Sequence, residues 1–339
     1  MKVLLTCAGR RNYLVRYFRE AVGNNGKVFA ADNSETASAL QEADRAFIVP
    51  PVSAANYTKV LREICEEQSI KLIVPLNDLE LPILAAESGK FSDAGAKVLI
   101  SPTEIIEICL DKWKTYCFLR ENHIPTPVTY LSLAEVEAGL LKREVTFPLV
   151  LKPRWGTASL YIHTVNTIEE LRDVYALLRK LLPNSIIGQL SCGDLEHAIV
   201  IQEALDGVEC GMDILNNLSG QFQGTVARQK ISMRAGETDR AITLNDESLR
   251  KIGRDIGEKL HHIGNVDCDV FLTDSGPVVL EMNPRFGGGY PFSHEAGANF
   301  PAIIIAWISG QPANPAWLET IPDLVMSKYE LVKIHKRNI

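Results

Sequence analysis

Two short acidic strands that face each other constrain this chain more than any other feature. Residues Asn265 to Leu272 and Val278 to Asn283 alternate polar and apolar around Asp274-Ser275-Gly276, which predicts a β-hairpin. With the turn centred near Ser275, Asp269 stands opposite Glu281 and Asp267 opposite Asn283 on one face. Val266, Cys268, Val270, Leu280 and Met282 make the other. Directly opposed side chains have Cβ atoms roughly 5 Å apart, and two carboxylates there repel unless something positive lies between them. A divalent cation meets that need. Oxygen ligands from Asp, Glu and Asn suit Mg²⁺, which keeps part of its water shell and is completed by substrate phosphates. The third ligand beside Glu281 and Asn283 is Asp269 or Asp267. Arg285 ends the strand, and Phe286-Gly287-Gly288-Gly289 lets backbone approach a ligand, which brings Gly288 into the candidate site. The alternative is a surface hairpin whose acidic face is simply solvated.

The 339 residues suffice for two or three substructures. A net charge of −7 argues against nucleic-acid or anionic-membrane partners, while leaving room for a local basic pocket. Seven cysteines without a CxxC pair fit reduced thiols and a cytoplasmic location. The N-terminal run lacks the pattern of a signal peptide, and no apolar stretch reaches the ~18 residues of a membrane span.

Residues 1–108 alternate short apolar strands with amphipathic helices, which predicts a doubly wound parallel sheet. Gly23 and Gly89 fall where helix ends call for positive φ. The loop Cys7-Ala8-Gly9-Arg10-Arg11-Asn12 has one of the three glycines of a dinucleotide fingerprint. Ligands in such sheets bind at the carboxyl ends of strands, which singles out Gly9, Arg10, Arg11, Asp32, Asn77, Asp78 and Glu80. Either this rim holds a second substrate, or Arg10 and Arg11 are solvated and Asp32 caps a turn.

Residues 105–122 read as one or two helices containing Asp111-Lys112. Lys152 ends a buried-looking strand, where a bare ammonium calls for an anion such as phosphate. The loop after it, with Gly156 and Ser159, can offer backbone N–H groups and hydroxyls to phosphates. Residues 199–213 read as strand, turn, strand. Along the strand over 224–237, Arg228, Lys230, Ser232 and Arg234 share one face, a stripe that is solvated or turned toward a triphosphate or acyl phosphate. A helix spans Asp246 to His261. His294 is either a general base or a structural histidine, and Tyr329 to Ile334 reads as a last strand.

Glu281-Met282-Asn283-Pro284-Arg285 after an apolar strand resembles the metal-binding signature of the ATP-grasp superfamily, closest to its carbamoyl-phosphate-synthase-like branch. The resemblance implies an N-terminal doubly wound parallel-sheet domain (1–108), then a two-lobed ATP-grasp fold: a small lobe with a phosphate lid (109–190) and a large lobe with the metal site (191–315), before a tail (316–339). It implies ATP and two Mg²⁺ ions, with Mn²⁺ as a substitute, held by Glu281, Asn283 and an earlier acid, and Arg285 on phosphate or substrate. Lys112 and Lys152 match the two family lysines. The lid carries one glycine, against a glycine-rich family pattern. The connection Gln202-Glu203-Ala204-Leu205 would pass the adenine edge, Glu209 would hold the ribose hydroxyls, and Asp213 would stand behind them.

Lysines, a cation stripe and a metal cage together form an inventory for positioning a nucleoside triphosphate. In phosphoryl transfer that positioning is nearly the whole of catalysis, and Lys152, Arg228 and Arg285 are the catalytic candidates. No Walker or kinase motif and no hydrolase triad occurs. The resemblance implies an ATP-dependent ligase in which a small-molecule carboxylate attacks the γ-phosphate and an amine captures the acyl phosphate, with a homodimer through the first domain. A carbamoyl-phosphate-synthase-like enzyme acting on bicarbonate or carbamate, and a nucleotide-binding regulator without turnover, are the alternatives.

Overall fold

A computed structural model describes residues 1–156, 160–185 and 194–332. The expectations for Ser159 and for the end of the last strand lie outside these residues. The chain runs β1 (Lys2–Thr6), α1 (Asn12–Val22), β2 (Lys27–Asp32), β3 (Arg45–Ile48), α2 (Tyr57–Gln68), β4 (Leu72–Pro75), α3 (Leu81–Ala86), α4 (Ser88–Asp93) and β5 (Lys97–Val98). These strands form one parallel sheet in the order β3-β2-β1-β4-β5. Val3, Leu5, Val28 and Val74 project to one face against α1, and Leu4, Phe29, Ile73 and Val98 to the other with α2 to α4. Two buried faces explain why the strands read as continuous apolar runs. Gly23 ends α1 at φ 64°, as expected, but Gly89 lies inside α4 and Gly95, at φ 78°, makes the turn after it.

Two helices follow, α5 (Thr103–Leu110) and α6 (Lys112–Glu121), divided at Asp111, whose carboxylate accepts from the N–H groups of Trp113 and Lys114. A four-stranded sheet comes next, ordered β6-β9-β7-β8 from β6 (Thr129–Tyr130), β7 (Leu149–Pro153), β8 (His163–Val165) and β9 (Ile199–Glu203), with α7 (Leu133–Lys142) and α8 (Ile168–Leu181).

The third sheet has the order β14-β13-β10-β11-β12-β15, built from β10 (Val208–Asn216), β11 (Phe222–Arg234), β12 (Glu237–Leu244), β13 (Gly264–Thr273), β14 (Gly276–Asn283) and β15 (Val325–Ser327). Helix α9 (Glu247–Leu260) lays Leu249, Ile252, Ile256 and Leu260 on its inner face. The strand, turn and strand over 199–213 form β9 and β10 in different sheets, so the chain passes from one lobe to the other at Ala204–Gly207, later than the expected boundary at 190/191. Two short helices, α10 (Tyr290–Glu295) and α11 (Phe300–Ile308), return the chain to the first sheet. Phe286, Tyr290, Phe300 and Ile303 to Ile305 join the cluster that also holds Leu14, Val15 and Phe18 of α1, so one apolar core runs from the parallel sheet into the large lobe. Each such side chain contributes roughly 1.5–3 kcal/mol when fully buried.

His262, just past α9, is fully buried, with Nε2 3.0 Å from the Ile214 carbonyl oxygen. Burial lowers its pKa to about 4, below the value of 6.5 in an unfolded chain. The unfolded state then binds the extra proton between those values, so this stability is complete above pH 6.5 and falls as the pH drops toward 4, by about 3 kcal/mol in all. Urea unfolding from pH 7.5 to 4.5 should show that decline, and His262→Gln should lessen it, leaving the share of His294, whose pKa burial also lowers to about 4. An unchanged slope in the variant would assign the decline to other groups.

Candidate active site

The hairpin pairs Asp267 with Asn283 and Asp269 with Glu281, as the alternation predicts. The turn is tighter than expected: Thr273 pairs with Gly276, and a bulge beyond Asp269 restores the missing residue. The charge between the opposed acids comes first from lysines. Lys230 Nζ lies 2.7 Å from Asp269 Oδ1, and Lys112 Nζ lies 3.8 Å from Glu281 Oε2. Lysines thus supply part of the positive charge for which a divalent cation is the expected source. Burial raises Asp269 to about 6 although Lys230 opposes it. Burial would raise Glu281 as well, but Lys112, Lys152 and Lys230 outweigh it and hold that carboxyl below its usual range.

Among the described residues no three His, Cys, Asp or Glu side chains cluster to hold a metal. The hairpin set is instead two acids and one amide. Such an all-oxygen, incomplete set fits Mg²⁺, whose remaining places are taken by water and phosphate.

Asp267 has a different task. Its Oδ1 accepts from Arg228 Nη2 at 3.1 Å and its Oδ2 from Arg285 Nη1 at 3.3 Å. Arg285 in turn forks onto Asp78 of the first sheet, with both N–H···O distances 2.9 Å, and Arg228 donates to Asp213 and to the Ser293 hydroxyl. Acids and guanidiniums alternate from Asp213 through Arg228, Asp267 and Arg285 to Asp78. Arg228 is 1% exposed and Arg285 9% at the side chain. These two arginines therefore brace the site from beneath, and Asp78 faces Arg285 where the sequence suggests a substrate.

The three glycines after Phe286 make way for this network. A Cβ on Gly287 would fall 2.0 Å from Asp267 Cγ, and one on Gly289 2.1 Å from Arg228 Nη2. On Gly288 it would lie 2.8 Å from Glu237 Cδ. The space serves the protein's own charged side chains.

Lys152 is 4% exposed and, among the described residues, forms no ion pair; burial lowers its pKa to about 8 against the pull of Glu281, with Lys112 pushing the same way as burial. Lys112 Nζ donates to the Gly156 carbonyl at 3.1 Å, joining α6 to the start of the lid. Lys230 bridges Asp269 and Glu209, 2.8 Å away, and the two acids hold it charged despite burial. Gln202 shares the face of the small-lobe sheet that carries Lys152, and it donates to Thr129 Oγ1 at 2.8 Å. Glu203 is tied to β6, its N–H donating to the Val128 carbonyl, and Leu205 lies on the connection between the lobes.

At the parallel-sheet rim, Arg10 is exposed, Arg11 Nη1 donates to the Leu76 carbonyl, and Asn77 Oδ1 accepts from Leu79 N–H. Asp32 holds the turns at Gly9 and Ser34, and buried Glu80 accepts from the Leu76 and Asn77 N–H groups and Tyr57. Two expectations move away from the site. Arg234 is exposed and pairs with Glu330 at 2.9 Å, because register shifts after Lys230 break the alternation. His294 stacks on Tyr17 with centroids 3.5 Å apart, meets the Tyr290 hydroxyl, and burial lowers its pKa to about 4. It packs α10 on α1 and stays neutral, as in the structural reading.

The profile of the ATP-grasp domain matches residues 109–289, and that of the PylC-like N-terminal domain matches 3–99. The chain belongs to the ATP-grasp family. Solved ATP-grasp structures share its fold. Biotin carboxylase from Campylobacter jejuni in its β-γ-ATP complex superposes with a TM-score of 0.74 at 14% identity, over 94% of this chain and 73% of that one. The L-amino acid ligase of Bacillus licheniformis gives 0.66 at 18%, over 94% and 77%. The biotin carboxylase domain dimer of Hydrogenobacter thermophilus 2-oxoglutarate carboxylase, in complex with MgADP, ADP and bicarbonate, gives 0.68 at 17%, over 90% and 69%.

Two parts of this ATP-grasp chain escape a reading of its sequence. Arg154 forks onto Asp111 at 2.7 Å on both oxygens and lies 4.3 Å from the Trp155 ring, which ties the lid's base to the cap of α6. Asp111 and Arg154 are 43 positions apart, so no local pattern announces their pairing. Glu237, Tyr13 and Lys328 meet beside the glycine loop. The only local sign is Ala235-Gly236, which marks a turn and hence the unexpected β12.

Proposed function

We propose that the chain is an ATP- and Mg²⁺-dependent ligase that activates a carboxylate as an acyl phosphate for capture by an amine. One observation carries this reading: Lys152 and Lys112 both act on Glu281 and repel each other, the first buried with its ammonium destabilised, an arrangement that a bound polyphosphate relieves. Asp269, Glu281 and Asn283 are the residues to hold the metal, since both oxygens of Asp267 already accept from guanidiniums. Mg²⁺ bound there supplies charge stabilisation to the β- and γ-phosphates. Lys152 and Lys112 orient the γ-phosphoryl group, and Lys230 holds Asp269 and Glu209 in place. Arg285, fixed by Asp78 and Asp267, keeps the strand end and the glycine loop where the second substrate meets the phosphate.

ADP release from ATP, assayed with paired carboxylates and amines, tests the assignment. Release that needs both substrates supports it. Bicarbonate-dependent release would point to the carbamoyl-phosphate type of reaction, and nucleotide binding without release to a regulator. Lys152→Met should weaken ATP binding by at least tenfold, read by calorimetry, with the fold retained; unchanged affinity would remove Lys152 from the nucleotide site.

A further inference from the structure

The residues beyond 289 fall outside both matched ranges, yet they come back to the site. From Ile321 to Lys328 the chain lies along β12 as a strap. The Thr243 hydroxyl donates to the Ile321 carbonyl at 2.7 Å and accepts from the Leu324 N–H at 3.0 Å. Val325, Met326 and Ser327 then pair with Ile242, Ala241 and Arg240, and the Lys328 N–H donates to the Asp239 carbonyl at 2.8 Å. Thr243 is 1% exposed, so the strap is seated on a built anchor.

Its end delivers Lys328. The ammonium lies 3.1 Å from Glu237 Oε2 and 6.0 Å from the ring centroids of both Tyr13 and Phe292. A cation set between two aromatic rings and a carboxylate, each from a different part of the chain, is a constructed feature. Beside it the Tyr13 hydroxyl is buried with its oxygen close to the Arg11 guanidinium, and among the described residues neither its O–H nor Arg11 Nε meets a carbonyl or carboxylate acceptor. Such orphan donors are costly and mark a place where an acceptor belongs. The charges bearing on the Tyr13 hydroxyl are Arg11, Glu237 and Arg285, which sets the cluster beside the glycine loop. Arg10, Arg11 and Lys328 all act on Glu237, leaving positive charge in excess. Burial holds Lys328 below the usual lysine range in spite of Glu237, and an added anion corrects that.

We propose that this cluster is the subsite for an α-amino acid and that Lys328 determines its specificity: the carboxylate takes the acceptor place beside Tyr13, Arg11 and Lys328, and the ammonium is received by Glu237. Lys328 lies outside both matched ranges. The inference rests on the ligase reading above, in which the amino acid is the second substrate.

Calorimetric titration of the full chain without nucleotide, using the twenty L-amino acids singly and then the carboxamide and N-acetyl form of the tightest, tests it. The free amino acid should bind at least tenfold more tightly than its carboxamide. Lys328→Ala should lose at least tenfold in affinity, and Lys328→Arg should recover to within threefold. In turnover, Lys328→Ala should raise the KM of the amino acid with kcat and the KM of ATP within threefold. Equal binding of the carboxamide, an unaffected Lys328→Ala, or no binding by any of the twenty overturns the proposal. ATP titrated into the same samples separates the two readings. A chain that binds ATP but none of the twenty amino acids sinks the subsite alone, and a chain that binds an amino acid through Lys328 but does not bind ATP sinks the ligase alone.

Discussion

Asp213→Ala is expected to destabilise the protein by about 3–5 kcal/mol, the cost of leaving a buried partner charge uncompensated. Asp213 is fully buried and accepts from three groups: Arg228, the Ser293 hydroxyl at 2.6 Å and Asn265 Nδ2 at 2.9 Å. Without it Arg228 keeps Asp267, but the guanidinium cannot reach water. Gly211 and Gly289 lie against it on either side, so close that a Cβ would fall 3.0 Å and 2.1 Å from Nη2. The loss should spread along the relay, because Asp267 also steadies Arg285 and, through it, Asp78. Urea denaturation at neutral pH measures it. A change below about 1 kcal/mol, the range of an exposed pair, would mean that water reaches Arg228.

This relay also shows where sequence reading stops. The hairpin was legible because alternation at period two is a local property, and Asp269 opposite Glu281 follows once the turn is near Ser275. The parallel sheet was legible for the same reason: strands buried on both faces have little room for polar residues. The cation stripe on β11 was legible only in part. Arg228 and Lys230 do share a face, but the acids that neutralise them, Asp213, Asp267, Glu209 and Asp269, arrive on β10 and β13 through long-range pairing. A stripe viewed alone looks unpaired and so looks ready for phosphate. The glycine run misled in a related way. It shows that no Cβ fits at 287 to 289, but not what claims the space, and the claimants are Asp267, Glu237 and Arg228. The strap was missed because β15 is three residues long and its register is set by Thr243, some eighty positions earlier.

Glu281→Gln should leave the fold intact and reduce ATP turnover by on the order of 10²–10³-fold, the range seen when one stabiliser of developing charge is removed. The amide is isosteric, and Glu281 lies on a ribbon held by backbone pairs and by Cys268 and Met282 on its buried face, so little packing is lost. The electrostatics change more. Glu281 is the acid on which Lys112, Lys152 and Lys230 all bear. Neutralising it leaves three ammonium groups with less opposing charge, which strengthens the pull on a triphosphate while the metal loses a carboxylate. The variant is thus expected to bind ATP at least as tightly as the wild type when Mg²⁺ is omitted, and to gain less affinity than the wild type on adding it. Calorimetry with and without Mg²⁺, beside ADP release, reads both effects. Retained turnover with an unchanged Mg²⁺ response would take Glu281 out of the metal site and leave it as the counter-charge of the lysines.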